Sequence, residues 1–504
     1  MYSHDFVVAL GLLLFSGAST LAQQGSGSYS VTSLKTVLQS PANRWNSATV
    51  ISFPDSTEFL NHTGRWTTFD APTFAAAISP ANEDDLVKTV KLATASKVPF
   101  LATGKRHGYT TTLGALHNGL AVDLSMFDSY SINKTTQTIT VGASVSVAEF
   151  QHALYQAGFV IQGGSASCPG YVGVTLGGGV GRFQGYFGLV VDALVSARVL
   201  TAKGDIVTAS LSQNPDLFWA LRGAGANFGI VLSATYKVQP LPNKGQILTA
   251  DFYFPLNMSS QYFKILESYS GKMPKEMAVI TSIAWDESSN STIIAANWIY
   301  IGPEQKGRDV IAPLIELNPP VSSVQVVAWD QLISTVGGGA IDTALCQKGL
   351  VRDFYSANLK SISAATYKAS VDKLNQYYQS YAEGRSTAID IETFPNQAMA
   401  AVPYGSTAYP WRDTNGYIQI SVQTPDANSQ AAKVGSKLAS ELRNEWVKTS
   451  GYPELTVYLN YAHGDEKLWQ IYGRDKLPTL AALKKKWDPT NVFGFNNPIP
   501  TQYS

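Results

Sequence analysis

Residues 163–189 read GGSASCPGYVGVTLGGGVGRFQGYFGL. The run Gly177-Gly178-Gly179-Val180-Gly181 lets consecutive backbone N–H groups converge, which suits an anion such as a pyrophosphate. Its spacing is not that of the G-x-G-x-x-G dinucleotide fingerprint, and neither is Gly223-Ala224-Gly225. A second glycine turn lies upstream. GKRHGYTTTLG, residues 104–114, follows the apolar run Val98-Pro99-Phe100-Leu101-Ala102, which reads as a buried strand. Here Gly104-Lys105-Arg106 lacks the hydroxyl of a phosphate-binding P-loop. One turn carries His107, one of 6 histidines, and the other Cys168, one of 2 cysteines. Both side chains can be joined covalently to an electrophilic ring, so the pair outranks either turn alone.

Around these turns the pattern is α+β. Asn82 followed by Glu83-Asp84-Asp85 opens a helix whose apolar face holds Leu86, Val90 and Ala93. Leu120, Val122 and Leu124 alternate as a strand, and Thr138–Val141 begins another. Ser146-Val147-Ala148-Glu149 is a capping box, with Gly158 closing its helix. Residues 197–207 form a hairpin around Lys203-Gly204-Asp205, and Asn214-Pro215-Asp216 gives the next helix its cap, proline and acid. The alternation over 76–240 is βαβ-like. Beyond 245, long strands at 292–301 and 416–423 bracket a helical stretch at 365–383, as in an antiparallel sheet covered by helices. Helices are expected near 465–473 and 478–487, and TVYLNY, residues 456–461, reads as a strand. His152 reads as structural; His463 either approaches a site or caps the turn at Gly464-Asp465.

The 504 residues allow two or three domains. Lys plus Arg and Asp plus Glu each number 37, which gives no electrostatic reason to expect nucleic acid or an anionic membrane. There is no HExxH, no G-x-S-x-G and no Cys/His cluster, so zinc and serine-hydrolase chemistry find no support and no metal is expected. The run FVVALGLLLF, residues 6–15, followed by Thr20-Leu21-Ala22, reads as a secretory leader ending at residue 22. Sequons at Asn61, Asn133, Asn257 and Asn290 fit an exported glycoprotein. Cys168 and Cys346 either pair with each other or serve another purpose.

Several motifs agree in type and order: Arg106-His107-Gly108-Tyr109, Gly163-Gly164-Ser165 with Cys168, LGGGVGRFQG (176–185), DLFWALRGAGANFGIV (216–231), Tyr458-Leu459-Asn460-Tyr461 and DPTNVF (488–493). Together they resemble the berberine-bridge-enzyme-like flavoproteins of the vanillyl-alcohol-oxidase class, over most of 65–245 and 440–500. The resemblance implies a two-subdomain FAD-binding domain at 69–242, after a lead-in at 23–68. It also implies a substrate domain at 243–440 and a C-terminal segment, 441–504, that completes the FAD site. It implies bicovalent FAD, with His107 on the flavin 8α-methyl and Cys168 on C6. Gly104, Lys105, Arg106, Gly108, Thr110, Thr175, Gly177, Gly178, Gly179 and Asn460 are then FAD contacts, with Gly229-Ile230-Val231 along the adenine end.

In this family hydride passes from a carbon bearing O–H or N–H to flavin N5 while a base takes the heteroatom's proton. The motif points to Tyr458 for that role, which requires a nearby cation to lower its pKa. Tyr461 stands beside it. Asp390 and Glu392, two apart on an expected strand and so on one face, are an acidic alternative. GRFQGYFGLVVDAL resembles fungal secondary-metabolite enzymes, and Tyr171 or Val172 falls in the region that governs oxygen access. The implied protein is a secreted monomer that oxidises a secondary-metabolite alcohol or amine with O2 as acceptor. An oligosaccharide oxidase and a non-catalytic flavin or ligand carrier are the alternatives.

Overall fold

Three sheets carry the fold in the computed structural model, which describes residues 31–503. The expected leader lies outside the described residues. In the first sheet β1 (Val50–Ser52), β2 (Phe74–Ser79), β3 (Phe100–Thr103) and β4 (Gly119–Asp123) take the order β1-β2-β4-β3. β4 runs parallel to both β2 and β3. Its five residues are all buried, as a parallel strand covered on both faces must be. The crossover from β2 to β3 is the helix Glu83–Ala95. Asn82 Oδ1 accepts from Asp85 N at 2.9 Å, and Leu86, Val90 and Ala93 pack into the core under the sheet.

The second sheet departs from the expected βαβ alternation. Its strands β5 (Tyr130–Asn133), β6 (Thr138–Gly142), β8 (Leu194–Leu200), β9 (Ile206–Ser210) and β10 (Ile230–Lys237) pair only antiparallel, in the order β5-β6-β10-β8-β9. The turns joining β5 to β6 and β8 to β9 are too short for a parallel crossover, which needs a dozen or more residues. A ribbon of β7 (Phe159–Val160) and β11 (Gln239–Pro240) accompanies them. The capping box forms as read: Glu149 Oε2 accepts from Ser146 N at 2.6 Å and opens the helix Val147–Gln156. Asn214 does not cap its helix with its side chain. It sits at φ +46 and donates its amide to Thr208 O, while the helix starts at Pro215.

The third sheet holds β12 (Gln246–Pro255), β13 (Met277–Asp286), β14 (Ser291–Tyr300), β15 (Val321–Ala328), β16 (Arg352–Leu359), β17 (Ala388–Thr393) and β18 (Gly416–Gln423). All pairs are antiparallel, in the order β15-β12-β14-β13-β17-β18-β16. One face packs on the helices Ser259–Ser268, Ala364–Ser380 and Gln430–Thr449 through Val279, Ile283, Ile389, Ile391, Tyr367 and Trp446. Alternation along the strands therefore sends Ser282, Asp390, Glu392, Tyr417 and Gln419 to the opposite face. That face meets the core shared with the second sheet, which includes Tyr417.

The last segment ties these units together. TVYLNY forms no strand: Leu459–Tyr461 is a single 3-10 turn. Its backbone is engaged by side chains of β16, with Tyr458 N donating to Asn358 Oδ1 and Ser356 Oγ to Tyr461 O. Farther on, Lys484 and Asp488 form a fully buried ion pair at 2.7 Å. Lys484 Nζ also donates to Asn227 O and Phe493 O, and Asp488 accepts from the backbone of Val492 and Phe493. DPTNVF is thus a fold-closing device. Lys484→Met should lower stability by about 3 kcal/mol, because it strands a buried carboxylate. An unchanged midpoint in a thermal melt would show that the segment is held otherwise.

Candidate active site

The first glycine turn is fixed from several sides. Gly104 is demanded by packing, since a Cβ there would stand 2.6 Å from Ala143 O. Arg106 occupies the left-handed region at φ +61. Its guanidinium pairs with the buried carboxylate of Asp123 and donates to Gly64 O at 3.0 Å and Asn61 O at 2.9 Å. Lys105 pairs with Glu149 at 2.8 Å. Neither cation's side chain is directed to a phosphate, so these residues are left with their backbone to offer a cofactor. Arg65 Nη2 holds Gly108 O at 2.5 Å. Thr111 N donates to His463 O at 2.7 Å, and Thr112 Oγ1 to Phe495 O at 2.9 Å. Thr110 Oγ1 lies 3.3 Å from Asn497 Oδ1. Thr110 is therefore spent on the C-terminal segment.

These contacts present His107. Its ring stacks on Trp66 at 5.7 Å, and the Arg352 guanidinium lies 4.1 Å from the Trp66 ring. Burial, with Lys348, Arg352 and Arg65 nearby, pulls its pKa down to about 4. The imidazole is neutral at ordinary pH, and its Nε2 is buried without a partner. A neutral imidazole with an unpartnered Nε2 fits the flavin ring expected there.

The second turn differs from expectation at its cysteine. Cys168 is bonded to Cys346, with Cα atoms 5.8 Å apart. A sulfur in that bond is no free thiolate, so the expected attachment of Cys168 to flavin C6 is not met in this structure. The helix Ala340–Cys346 also lies on the turn through Asp342, which accepts from Ser167 N at 2.8 Å and Ser167 Oγ at 2.6 Å. Its Leu345 O accepts from Trp66 Nε1 at 2.6 Å, so one strap touches the supports of both turns.

The triple glycine does not form an anion nest either. Gly178 N donates to Thr175 O and Gly179 N to Tyr458 Oη. These glycines serve close packing: Cβ atoms at Gly177, Gly178 and Gly179 would stand 2.3, 2.6 and 2.3 Å from Asn460, Tyr409 and Val190. Asn460 is used inside the protein, donating to Val174 O at 3.0 Å and Tyr458 Oη at 2.7 Å. Thr175 Oγ1 binds Tyr171 O and Tyr236 Oη. Gly229 admits Val199 closely, and Ile230 and Val231 pair with Leu200 and Val199 in the ladder. Tyr171 and Val172 are buried.

The acid–base groups converge from β17 and the C-terminal turn. Tyr461 Oη donates to Glu392 Oε2 at 2.9 Å. Burial pushes the Glu392 carboxyl up to about 7, with Asp390 adding to the rise and Tyr461 and Arg182 opposing it. Asp390, on the same face, accepts from Ser282 Oγ and is likewise raised by burial. These two carboxyls are therefore interior groups and not an exposed face. Tyr458 departs from its expected role. Burial pushes it up to about 12 despite the donors Gly179 and Asn460, and no cation is among the groups that act on it. His463 does not join the set: it stacks on Tyr355 and binds Asp353 at 3.0 Å and Asp465 at 3.3 Å. Burial disfavours its charge, yet these two carboxylates raise its pKa to about 9. His152, itself exposed, pairs with the buried carboxylate of Asp330.

Two groups were missed by sequence reasoning. Tyr109 lies in the quoted turn, with its hydroxyl buried and unpartnered and its ring 4.5 Å from Phe354. Arg182 lies in LGGGVGRFQG, 6 % exposed. Both sat inside motifs already singled out, but nothing in their spacing marks them as polar groups buried without partners. No cluster of three or more His, Cys, Asp or Glu suited to a metal occurs among the described residues, and no helix there is long and apolar enough to cross a membrane.

The fold and this site define an FAD-linked oxidoreductase. The pattern described as "FAD binding domain" matches residues 74–210, and "Berberine and berberine like" matches 457–500. The FAD-linked oxidoreductase fogF of Aspergillus ruber is 47% identical over 473 residues, 93% of this chain and 95% of its own. Among solved structures, Physcomitrella patens BBE-like 1 matches at 24% identity and TM-score 0.80, over 91% of this chain and 98% of its own. Glucooligosaccharide oxidase from Acremonium strictum, described with a 6-S-cysteinyl, 8α-N1-histidyl FAD, matches at 24% identity and TM-score 0.77, over 90% and 98%. The chain belongs to the berberine-bridge-enzyme-like family of FAD-linked oxidoreductases.

Thiol counting follows from the strap. The protein denatured without reductant should show no reactive thiol, and two after reduction. Cys346→Ser should expose one thiol at Cys168 without reduction. A reactive thiol in the unreduced wild type would contradict the observed pairing.

Proposed function

We propose that this chain is an exported oxidase that carries FAD on His107 and oxidises an alcohol or amine carbon of a secondary metabolite, with O2 as acceptor and H2O2 as co-product. The observation that carries the reading is the Tyr461–Glu392 pair, buried and half-ionisable near neutral pH. FAD supplies, when bound, the two-electron acceptor that takes hydride from the substrate carbon and hands the electrons to O2. The chain's own residues handle the proton. The substrate O–H or N–H gives its proton to Tyr461 Oη as the Tyr461 proton moves to Glu392 Oε2. Tyr458, fixed by Gly179 and Asn460, positions the turn that carries Tyr461.

A single tether through His107 agrees with its neutral imidazole and with Cys168 being bonded elsewhere. Backbone groups of residues 104–108 and 163–170 would hold the ring, and Gly229–Val231 the adenine end. Export is supported by the apolar leader, by sequon asparagines that are all exposed, and by a disulfide of the kind oxidising compartments maintain.

Two measurements test this. Acid-precipitated wild type should stay yellow, and His107→Ala should release its flavin; flavin that washes out of the wild type defeats the tether. The value of kcat/KM should rise with pH through about 7 as Glu392 deprotonates. Glu392→Gln should abolish that limb and cut the rate by about 10²-fold or more. A retained limb would move the base elsewhere. Turnover confined to sugars would transfer the chain to the oligosaccharide oxidases.

A further inference from the structure

His463 stands where three parts of the molecule meet, two residues past Tyr461. Its carbonyl accepts from Thr111 N at 2.7 Å and Thr111 Oγ1 at 2.9 Å, both in the turn that carries His107. Its imidazole faces the seven-stranded sheet. Nε2 lies 3.0 Å from Asp353 Oδ1 on β16, and the ring stacks at 4.2 Å on Tyr355, two residues along the same face of that strand. On its other side Nδ1 lies 3.3 Å from Asp465 Oδ1. A neutral imidazole has one N–H and can donate to only one of these carboxylates, whereas the imidazolium donates to both. The surrounding charge asks for the same form. Asp353, Asp465 and the fully buried Glu466 face a single guanidinium, that of Arg443 on the helix Gln430–Thr449. Arg443 binds Asp465 at 2.5 and 2.7 Å and Glu466 at 3.2 Å, while Glu466 accepts from His463 N and Gly464 N. The turn at 110–112 brings only threonines. Three carboxylates against one cation leave two charges uncompensated unless His463 supplies the second cation. The imidazole is only 13 % exposed, so water screens these contacts weakly.

We propose that His463 is a positioning residue for the proton-handling pair: its imidazolium, clamped between Asp353 and Asp465, fixes Tyr461 on the sheet and, through its own carbonyl, the turn that carries His107. Both arms are short. The Tyr461 carbonyl is held by Ser356 Oγ, also on β16, and its hydroxyl by Glu392 on β17. The bond from Thr111 N ends on the backbone of His463 itself, so an imidazole leaving its clamp shifts both turns together. His463 thus acts through Tyr461 and not on the reacting atoms. Burial opposes its charge, but Asp353 and Asp465 more than restore it and hold the pKa at about 9 against an ordinary 6.5. The clamp is therefore complete below about 6.5 and lost as pH rises through about 9. This assignment rests on the oxidase reading and adds to it the group that sets the spacing of its two working turns.

The first measurement needs no substrate. Hydrogen–deuterium exchange is followed in the peptide 104–114 and, as a control, in the strand β14 inside the seven-stranded sheet. In wild type the 104–114 peptide should exchange slowly near neutral pH and about tenfold faster above about pH 9, after correction for base catalysis. His463→Gln should exchange at the faster level at both pH values. Asp353→Asn keeps an acceptor but removes a charge, and it should move the step down by about one pH unit or more. The control strand should not change. In the flavin-loaded enzyme kcat/KM should fall several-fold above about pH 9. His463→Gln should lie at that lower level while keeping the rise through about 7 that belongs to Glu392. Should His463→Gln fail to fold, wild type and Asp353→Asn still decide. No step in wild type, a step unmoved in Asp353→Asn, or protection of 104–114 indifferent to His463→Gln would overturn the assignment. So would equal acceleration of the control strand, or a wild-type kcat/KM in His463→Gln. A wild type without flavin or turnover would defeat the oxidase reading instead, and the exchange step would still decide the clamp.

Discussion

The site depends on a clasp between residues far apart in the chain. The turn that presents His107 is pinned by Thr111 N to His463 O and by Thr112 Oγ1 to Phe495 O, while Asn497 N donates back to Thr112. Without those bonds the first glycine turn would be a surface loop and Tyr461 would have no fixed distance from it. The same C-terminal segment is anchored by Lys484–Asp488 and by the side chains of Asn227 and Tyr472. Its burial therefore couples the His107 turn to the seven-stranded sheet. Polar groups do the coupling, so its geometry is directional in a way that apolar packing alone is not.

Much of the fold was legible because its signals are local. The capping box at Ser146, the cap at Asn82 and the hairpin around Lys203–Asp205 each depend on a few neighbouring residues, and each forms. The strand at 416–423 is legible for the same reason. Misreadings arose where tertiary contacts decide. TVYLNY has strand composition, yet Asn358 and Ser356 engage its backbone and leave no ladder to join. The triple glycine has the composition of an anion nest, yet its N–H groups bind Thr175 and Tyr458. The fate of Cys168 could not be read from sequence, because Cys346 lies 178 residues away on a different unit.

Two kinds of buried charge coexist in this chain. Lys484 and Asp488 satisfy each other and several backbone groups, and they serve the fold. Glu392 accepts a single hydrogen bond, from Tyr461, and Arg182 Nη1 is buried without a partner. A protein that tolerates the second arrangement gives up stability where the first would have been available. The contrast separates what holds this molecule together from what it uses.

Arg106 carries a last consequence. It adopts a left-handed backbone conformation that glycine reaches freely and that costs an ordinary residue roughly 1–2 kcal/mol. Its bonds to Asp123, Gly64 and Asn61 offset that cost by lashing the loop to β4 and to the helix Thr57–Thr63. The bend is therefore cast during folding, before any guest arrives. On the proposed tether, a ring bound at His107 would meet an imidazole on a backbone already fixed, with the entropy of fixing it lost beforehand.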